Sequence, residues 1–167
     1  TGPYLDAKGQ NAAFADDSVT PSDYGVKVMG NYDFSNLSQG YKHGGHNSIY
    51  TDENGQMYDI YHQRFERSGG YQDRIHQLFK NAQGWPVMAV YENAGDAICE
   101  TGYGMEEITG YYEFVNHGTL SNSSMLDTFL IRLNEDGSIT GDLDGSWNMT
   151  DGTYYMSLTV NGVTYDG

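Results

Sequence analysis

A succession of short strand-like runs, each closed by a tight turn, constrains this chain more than anything else in it. Met57 to Phe65 reads MYDIYHQRF, Asp73 to Phe79 reads DRIHQLF, and Pro86 to Tyr91 reads PVMAVY. The turns around them are Asp52-Glu53-Asn54-Gly55, Ser68-Gly69-Gly70 and Asn81-Ala82-Gln83-Gly84. Asn-Gly and Gly-Gly supply the positive φ that tight hairpins need. With a first strand starting at Ser48, directly after Gly44-Gly45-His46-Asn47, the stretch predicts a four-stranded antiparallel meander. Such a meander is the unit of a propeller blade or half of a sandwich. Alternation over 57–65 places Tyr58, Ile60, His62 and Arg64 on one face and Asp59, Tyr61, Gln63 and Phe65 on the other. A sheet patterned on both faces suits a blade packed between neighbours.

The flanks read differently. Before the meander we expect a short helical turn near Asn11 to Phe14, a strand over Gly25 to Met29 and a polar loop over Ser35 to Gly44. After it, Glu92 to Thr109 is rich in Gly, Asp and Glu and carries little periodicity, which marks a boundary. Beyond lie strand-like runs at 110–115, 128–133, 138–140, 145–148, 154–160 and 163–165. Asn134-Glu135-Asp136-Gly137, Asp151-Gly152 and Asn161-Gly162 punctuate them, and the last is a strong hairpin signal. The expected class is all-β throughout. Residues 1–95 form one unit, 96–109 a linker and 110–167 a small β-sandwich or barrel.

Composition agrees. The 167 residues include 22 glycines and 15 tyrosines but only 3 prolines, as suits a turn-rich β chain. Apolar residues make up 38%, low for a self-sufficient domain, so part of the buried surface is expected to belong to a missing partner. The net charge of −15 argues against nucleic acid and against anionic membrane as partners. It is compatible with neutral sugars and divalent cations. No apolar run approaches the roughly 20 residues of a membrane-spanning helix. Cys99 is the sole cysteine, so no intrachain disulfide forms. Thr1 reads as a processed or cloned start.

Several pieces, in order, carry a resemblance: Gly2-Pro3-Tyr4-Leu5-Asp6, Met29-Gly30-Asn31-Tyr32, GHNSIY at 45–50, the YHQRF and RIHQLF runs, and Gly84-Trp85-Pro86-Val87. Together they resemble the last propeller blades of family 43 glycoside hydrolases, above all the secreted bacterial endo-arabinanases. The run after residue 110 is similar, with weaker motifs, to the accessory β-domain that follows the propeller in those enzymes. The resemblance implies the C-terminal blades of a five-bladed β-propeller followed by that domain. It also implies an extracellular enzyme hydrolysing internal α-1,5 bonds of arabinan with inversion. In the family the accessory domain continues past the segment matching Val163 to Gly167, which implies an open sheet edge or strands from another polypeptide.

The resemblance also points to a metal. His46, in the matched motif, is implied to face a calcium ion or small metal cluster in the propeller channel, although calcium prefers oxygen ligands. A cation there would orient water and lower the pKa of nearby carboxylates. A zinc site at His43 and His46 is the weaker alternative, since no cysteine or third histidine stands at suitable spacing. His62, Arg64, Arg74 and His76 are expected to form an intrablade polar network, with Asp59 and Asp73 pairing the arginines.

Inverting glycoside hydrolysis needs an acid and a base roughly 6.5–9.5 Å apart. In the family these carboxylates come from earlier blades, so the resemblance implies no catalytic residue in this chain. The N-terminal part of the same enzyme, as a separate chain, is the implied partner. Substrate-binding residues stay unassigned. Asp6, Asp16, Asp17 and Asp23 read as turn formers, as do Asn134 to Gly137 and Asp142 to Gly145. Trp85, Trp147 and most tyrosines read as packing residues. The rival reading is a non-catalytic β-rich carbohydrate-binding module.

Overall fold

The computed structural model describes residues 4–6, 8–12, 27–95, 97–120 and 122–167. Among these described residues ten strands and one short helix follow one another: β1 (Tyr41–Thr51), β2 (Met57–Phe65), β3 (Tyr71–Lys80), β4 (Pro86–Met88), α1 (Met105–Ile108), β5 (Gly110–Val115), β6 (Thr128–Leu133), β7 (Ser138–Gly141), β8 (Gly145–Met149), β9 (Met156–Val160) and β10 (Val163–Asp166). They make two antiparallel meanders, a four-stranded sheet ordered β1-β2-β3-β4 and a six-stranded sheet ordered β10-β9-β8-β7-β6-β5. No helix among the described residues is long and apolar enough to cross a membrane.

Three turns share one design. In 52–55, 81–84 and 134–137 the first residue's N–H reaches the carbonyl four residues on, and the closing glycine's N–H returns to the first residue's carbonyl. Gly55, Gly84 and Gly137 all have φ between 81° and 85°. Asp52 and Asn81 add side-chain oxygens that accept two further turn N–H groups each. The β9–β10 hairpin turns on Asn161 (φ 50°) and Gly162 (φ 76°), the left-handed pair that matches strand twist.

The inner face of β2 is the mixed one: Asp59, Tyr61, Gln63 and Phe65 are all buried, while Ile60 and Arg64 are exposed. That face packs on Tyr32, Phe34 and Tyr41, with Met29, Leu37 and Val115 at its margin. The second core gathers Ile131, Leu133, Ile139, Trp147 and Val160, capped by Met105 and Ile108 from α1. The six strands curl as one sheet, the barrel-like of the two expected shapes. Phe114 on edge strand β5 and Tyr165 on edge strand β10 have ring centroids 6.0 Å apart, over an apolar cavity of about 380 Å³.

Residues 30–35 stitch the two sheets together. The Gly30 N–H donates to His117 Nδ1 at 2.9 Å, and Asn31 Nδ2 donates to the carbonyls of Asn122 and Ser124. Ser35 donates its N–H and its hydroxyl to the Glu113 carboxylate. A Cβ on Gly30 would lie 2.6 Å from the tip of the Leu126 side chain and 3.1 Å from His117 Nδ1, so the glycine lets the two sheets approach closely here.

Three expectations need correction. Lys27 to Met29 is not strand, and Gly25 and Val26 lie outside the described residues. The loop expected up to Gly44 ends at Gly40, because β1 pairs Tyr41 with Phe65 and Lys42 with Arg64 ahead of a glycine-rich stretch without strand propensity. Within the 96–109 segment, expected as a linker, lies helix α1, and the N–H of its N-cap Gly104 donates to Glu107 Oε2 at 2.8 Å. Asn11 bridges Leu5 as a β-bridge, not a helical turn, and Ala13 and Phe14 lie outside the described residues.

Candidate functional site

The matched motif sits on a bulge. Gly45 pairs with His62 and Ser48 with Ile60, so His46 and Asn47 together oppose Tyr61 alone. The extra residue is accommodated at His46, whose φ is 51°. Two neighbours make the bulge possible. A Cβ on Gly44 would stand 2.6 Å from Met29 Cε and 2.9 Å from the Tyr61 ring, so only glycine fits between them. Asn47 Nδ2 donates to Asp59 Oδ1 at 3.2 Å, tying the bulge to the buried face of β2.

His46 is exposed, beside the outer face of the sheet. Its ring meets His62 edge-on at 6.4 Å, and His62 meets Tyr71 edge-on at 5.0 Å. Arg64 lies 5.8 Å from the Tyr71 ring centroid. Four large apolar side chains also stand on that outer face: Tyr50 stacks on Tyr58 at 6.3 Å, and Tyr50, Ile60, Tyr71 and Ile75 are all exposed.

The polar network splits in two. His62 and Arg64 share the outer face, with Asp73 and Tyr71 opposite them on β3. His76 and Arg74 belong to the inner face, opposite Asp59 and Tyr61. The single cluster expected from all four residues is therefore two clusters, because β2 and β3 pair in a register that alternates the faces. Nor do the aspartates pair the arginines. Arg74 Nε instead meets Glu92 Oε1 at 2.6 Å and stacks over Phe65. Glu92 also accepts from Tyr41 Oη at 2.5 Å. Burial alone would push the Glu92 carboxyl up, but the Tyr41 hydroxyl and the Arg74 charge hold it below the usual carboxylate range. Burial, with the Glu92 carboxylate adding to it, pushes the Tyr41 hydroxyl up to about 12. His76 is fully buried, donates Nδ1–H to the Ala89 carbonyl at 2.7 Å and has its pKa lowered by burial.

Among the described residues no three His, Cys, Asp or Glu side chains converge as a ready-made metal set. A calcium ion takes six to eight oxygens. His46 offers one ring nitrogen at an exposed bulge, so this stretch does not by itself supply such a site. The His43 side chain lies outside the described ones.

The other sequence candidates are turns or core. Asp6 Oδ1 accepts the N–H groups of Lys8 and Gln10. Asp16, Asp17 and Asp23 lie outside the described residues. Trp147 is 3% exposed and donates Nε1–H to the Asn134 carbonyl. Sequence reasoning missed His117 and Glu92. Both act through partners 87 or 51 residues away, and no local pattern announces such contacts.

Residues 90–167 match the C-terminal lipocalin-like domain of glycoside hydrolase family 43. The chain is 40% identical over 171 aligned residues to the extracellular endo-α-(1→5)-L-arabinanase 2 of Bacillus subtilis, covering 99% of this chain and 35% of the relative. It is 38% identical to the extracellular endo-α-(1→5)-L-arabinanase of Thermotoga petrophila, covering 95% of this chain and 35% of the relative. Among solved structures it superposes on the family 43 YxiA protein of Bacillus licheniformis with a TM-score of 0.87 and 39% identity, over 99% of this chain and 39% of that one. Against the Thermotoga petrophila endo-1,5-α-L-arabinanase the TM-score is 0.82 at 37% identity, over 99% and 37%. The chain thus spans about a third of the length of the curated relatives it matches.

Proposed function

The chain is a relative of the C-terminal part of family 43 glycoside hydrolases, and from that premise we propose that it is the C-terminal portion of an extracellular endo-α-1,5-L-arabinanase. The near-complete alignment with two such enzymes carries this reading. In it, the β1–β4 sheet is the final blade of a five-bladed propeller. The catalytic carboxylates lie on the N-terminal part of the enzyme, present as a separate chain or as the same polypeptide. The open face bearing Tyr50, Ile60, Tyr71 and Ile75 supports that assignment, because apolar surface of this kind is what a neighbouring blade covers.

His46 is the residue this chain contributes to the reaction centre, together with one wall of the substrate groove. A calcium ion or small metal cluster, when bound, would fix ordered water and favour ionised carboxylates near it. The bulge presents the imidazole, Asn47 and Asp59 anchor it from below, and His62 flanks it. A ligating ring must be neutral, so acidification would release the metal.

The test is hydrolysis of linear α-1,5-arabinan by the full-length protein, with the anomer of the first product read by NMR. Internal cleavage giving inverted product is expected. Absence of arabinan cleavage by an intact, metal-replete protein would overturn the proposal.

A further inference from the structure

We propose that the basic corner of the β1–β4 sheet, built on Lys42 and Arg64, is the docking point for a carboxylate of the part of the protein that covers the outer face of that sheet. Lys42 and Arg64 stand directly opposite each other in the β1–β2 ladder, so both side chains rise from the outer face. Like charges facing each other across an antiparallel pair repel. Among the described residues neither cation forms an ion pair.

The chain has 23 acidic residues against 8 basic ones, yet it leaves this pair unanswered. Asp33 and Glu66 lie beside Arg67 instead, at 3.8 and 4.0 Å. Asp73, on the same outer face, stands opposite His62. Arg64 is held over the Tyr71 ring at 5.8 Å, which leaves its N–H fork for an acceptor. The hollow that Lys42 and Arg64 line with Glu66 and Arg67 measures about 290 Å³, room enough for an acidic side chain.

The occupant follows from the rest of the face. Tyr50, Ile60, Tyr71 and Ile75 stand exposed on the same side of the sheet, and the larger part of each matched relative lies outside the match. Whatever covers Tyr71 takes Arg64 and Lys42 partly out of water. Two like charges desolvated without a counterion are costly. The covering surface therefore has to bring a carboxylate, and an Asp or Glu meets the Arg64 fork with two parallel hydrogen bonds. A second copy of this chain fits less well, since two bodies of charge −15 repel. This docking point rests on the reading above, in which a further part of the protein packs on the sheet, and is independent of the bond that the protein cleaves.

The test is carbodiimide cross-linking of the full-length protein, read by peptide mass spectrometry. The reagent joins an amine to a carboxylate already in salt-bridge contact. Lys42 should be found joined to an Asp or Glu that precedes this stretch in the same polypeptide. Arg64→Lys should place a second amine there and add a cross-link to the same carboxylate. A Lys42 cross-link confined to residues 1–167 overturns the inference. So does one between two copies, seen as a covalent dimer, and so does the absence of any Lys42 product. The expected cross-link in a protein that leaves arabinan intact would remove the arabinanase reading and keep the docking point. Arabinan cleavage by a protein without the cross-link would do the reverse.

Discussion

His117 accepts the Gly30 backbone N–H at Nδ1 across 2.9 Å, joining the two sheets through residues 87 positions apart. Accepting at Nδ1 places the ring proton on Nε2 and requires a neutral imidazole. Burial lowers the His117 pKa, and the nearby Lys27 ammonium lowers it further.

The first prediction concerns pH. A histidine with a depressed folded-state pKa takes up protons more readily when unfolded, so stability rises with pH where the two states differ. The contribution is complete above the ordinary value of 6.5 and is lost as pH falls below it toward the folded-state pKa. His76, also lowered by burial, acts in the same direction. Urea midpoints should therefore fall between pH 7.5 and 5. His117→Asn, which keeps an acceptor but does not titrate, should flatten part of that slope. A midpoint independent of pH over this range would contradict the prediction.

The two motif glycines should behave differently. Gly44→Ala forces a Cβ to within 2.9 Å of the Tyr61 ring and should cost about 1–3 kcal/mol by overpacking. Gly45→Ala meets only the His62 ring at 3.5 Å, an ordinary contact, and should be nearly neutral. Denaturant unfolding of the two variants side by side measures the difference.

His46 combines a left-handed backbone with an exposed ring. His46→Gly should leave stability unchanged or raise it, whereas His46→Ala should be about 1 kcal/mol less stable than the glycine variant, since a Cβ resists this conformation. On the proposed arabinanase reading, both should lower bound metal and arabinan turnover in the full-length protein. Metal analysis and activity on the same preparations separate the ring's contribution from the backbone's, and full metal occupancy in both variants would dismiss the ligand role.

Trp147 anchors the second core, with its Nε1–H on the Asn134 carbonyl of the neighbouring turn. Trp147→Ala should cost about 3–5 kcal/mol. Trp147→Phe should cost less but leave the Asn134 carbonyl without that donor. Thermal melts followed by circular dichroism would rank the three proteins.

What could be read from the sequence was local. The Asn-Gly and Asx-x-x-Gly turns announced their hairpins because the required φ leaves few residue choices, and the 57–65 alternation sorted the two faces of β2 correctly. The start of β1 was hidden because Gly44 and Gly45 lack strand propensity, and only the ladder to β2 makes them extended. The division of His62 from His76 into separate clusters depends on interstrand register, which neither strand carries alone. Met29-Gly30-Asn31-Tyr32 was recognisable as a motif before its purpose was. The structure explains it as the seam, with Gly30 giving close approach, Asn31 clamping two carbonyls and Tyr32 filling the first core. Glu92 fell in a stretch that reads as a boundary, although it fastens Tyr41 and Arg74.

Phe114 and Tyr165 face each other across strands that share no ladder. The calibre of the curled sheet at that point is consequently governed by side-chain bulk, and the strands can part or approach there without sacrificing a backbone hydrogen bond between them. Trimming either ring would widen the bore at small cost to the ladders, making this lengthwise gap the natural place to engineer a guest molecule into the domain.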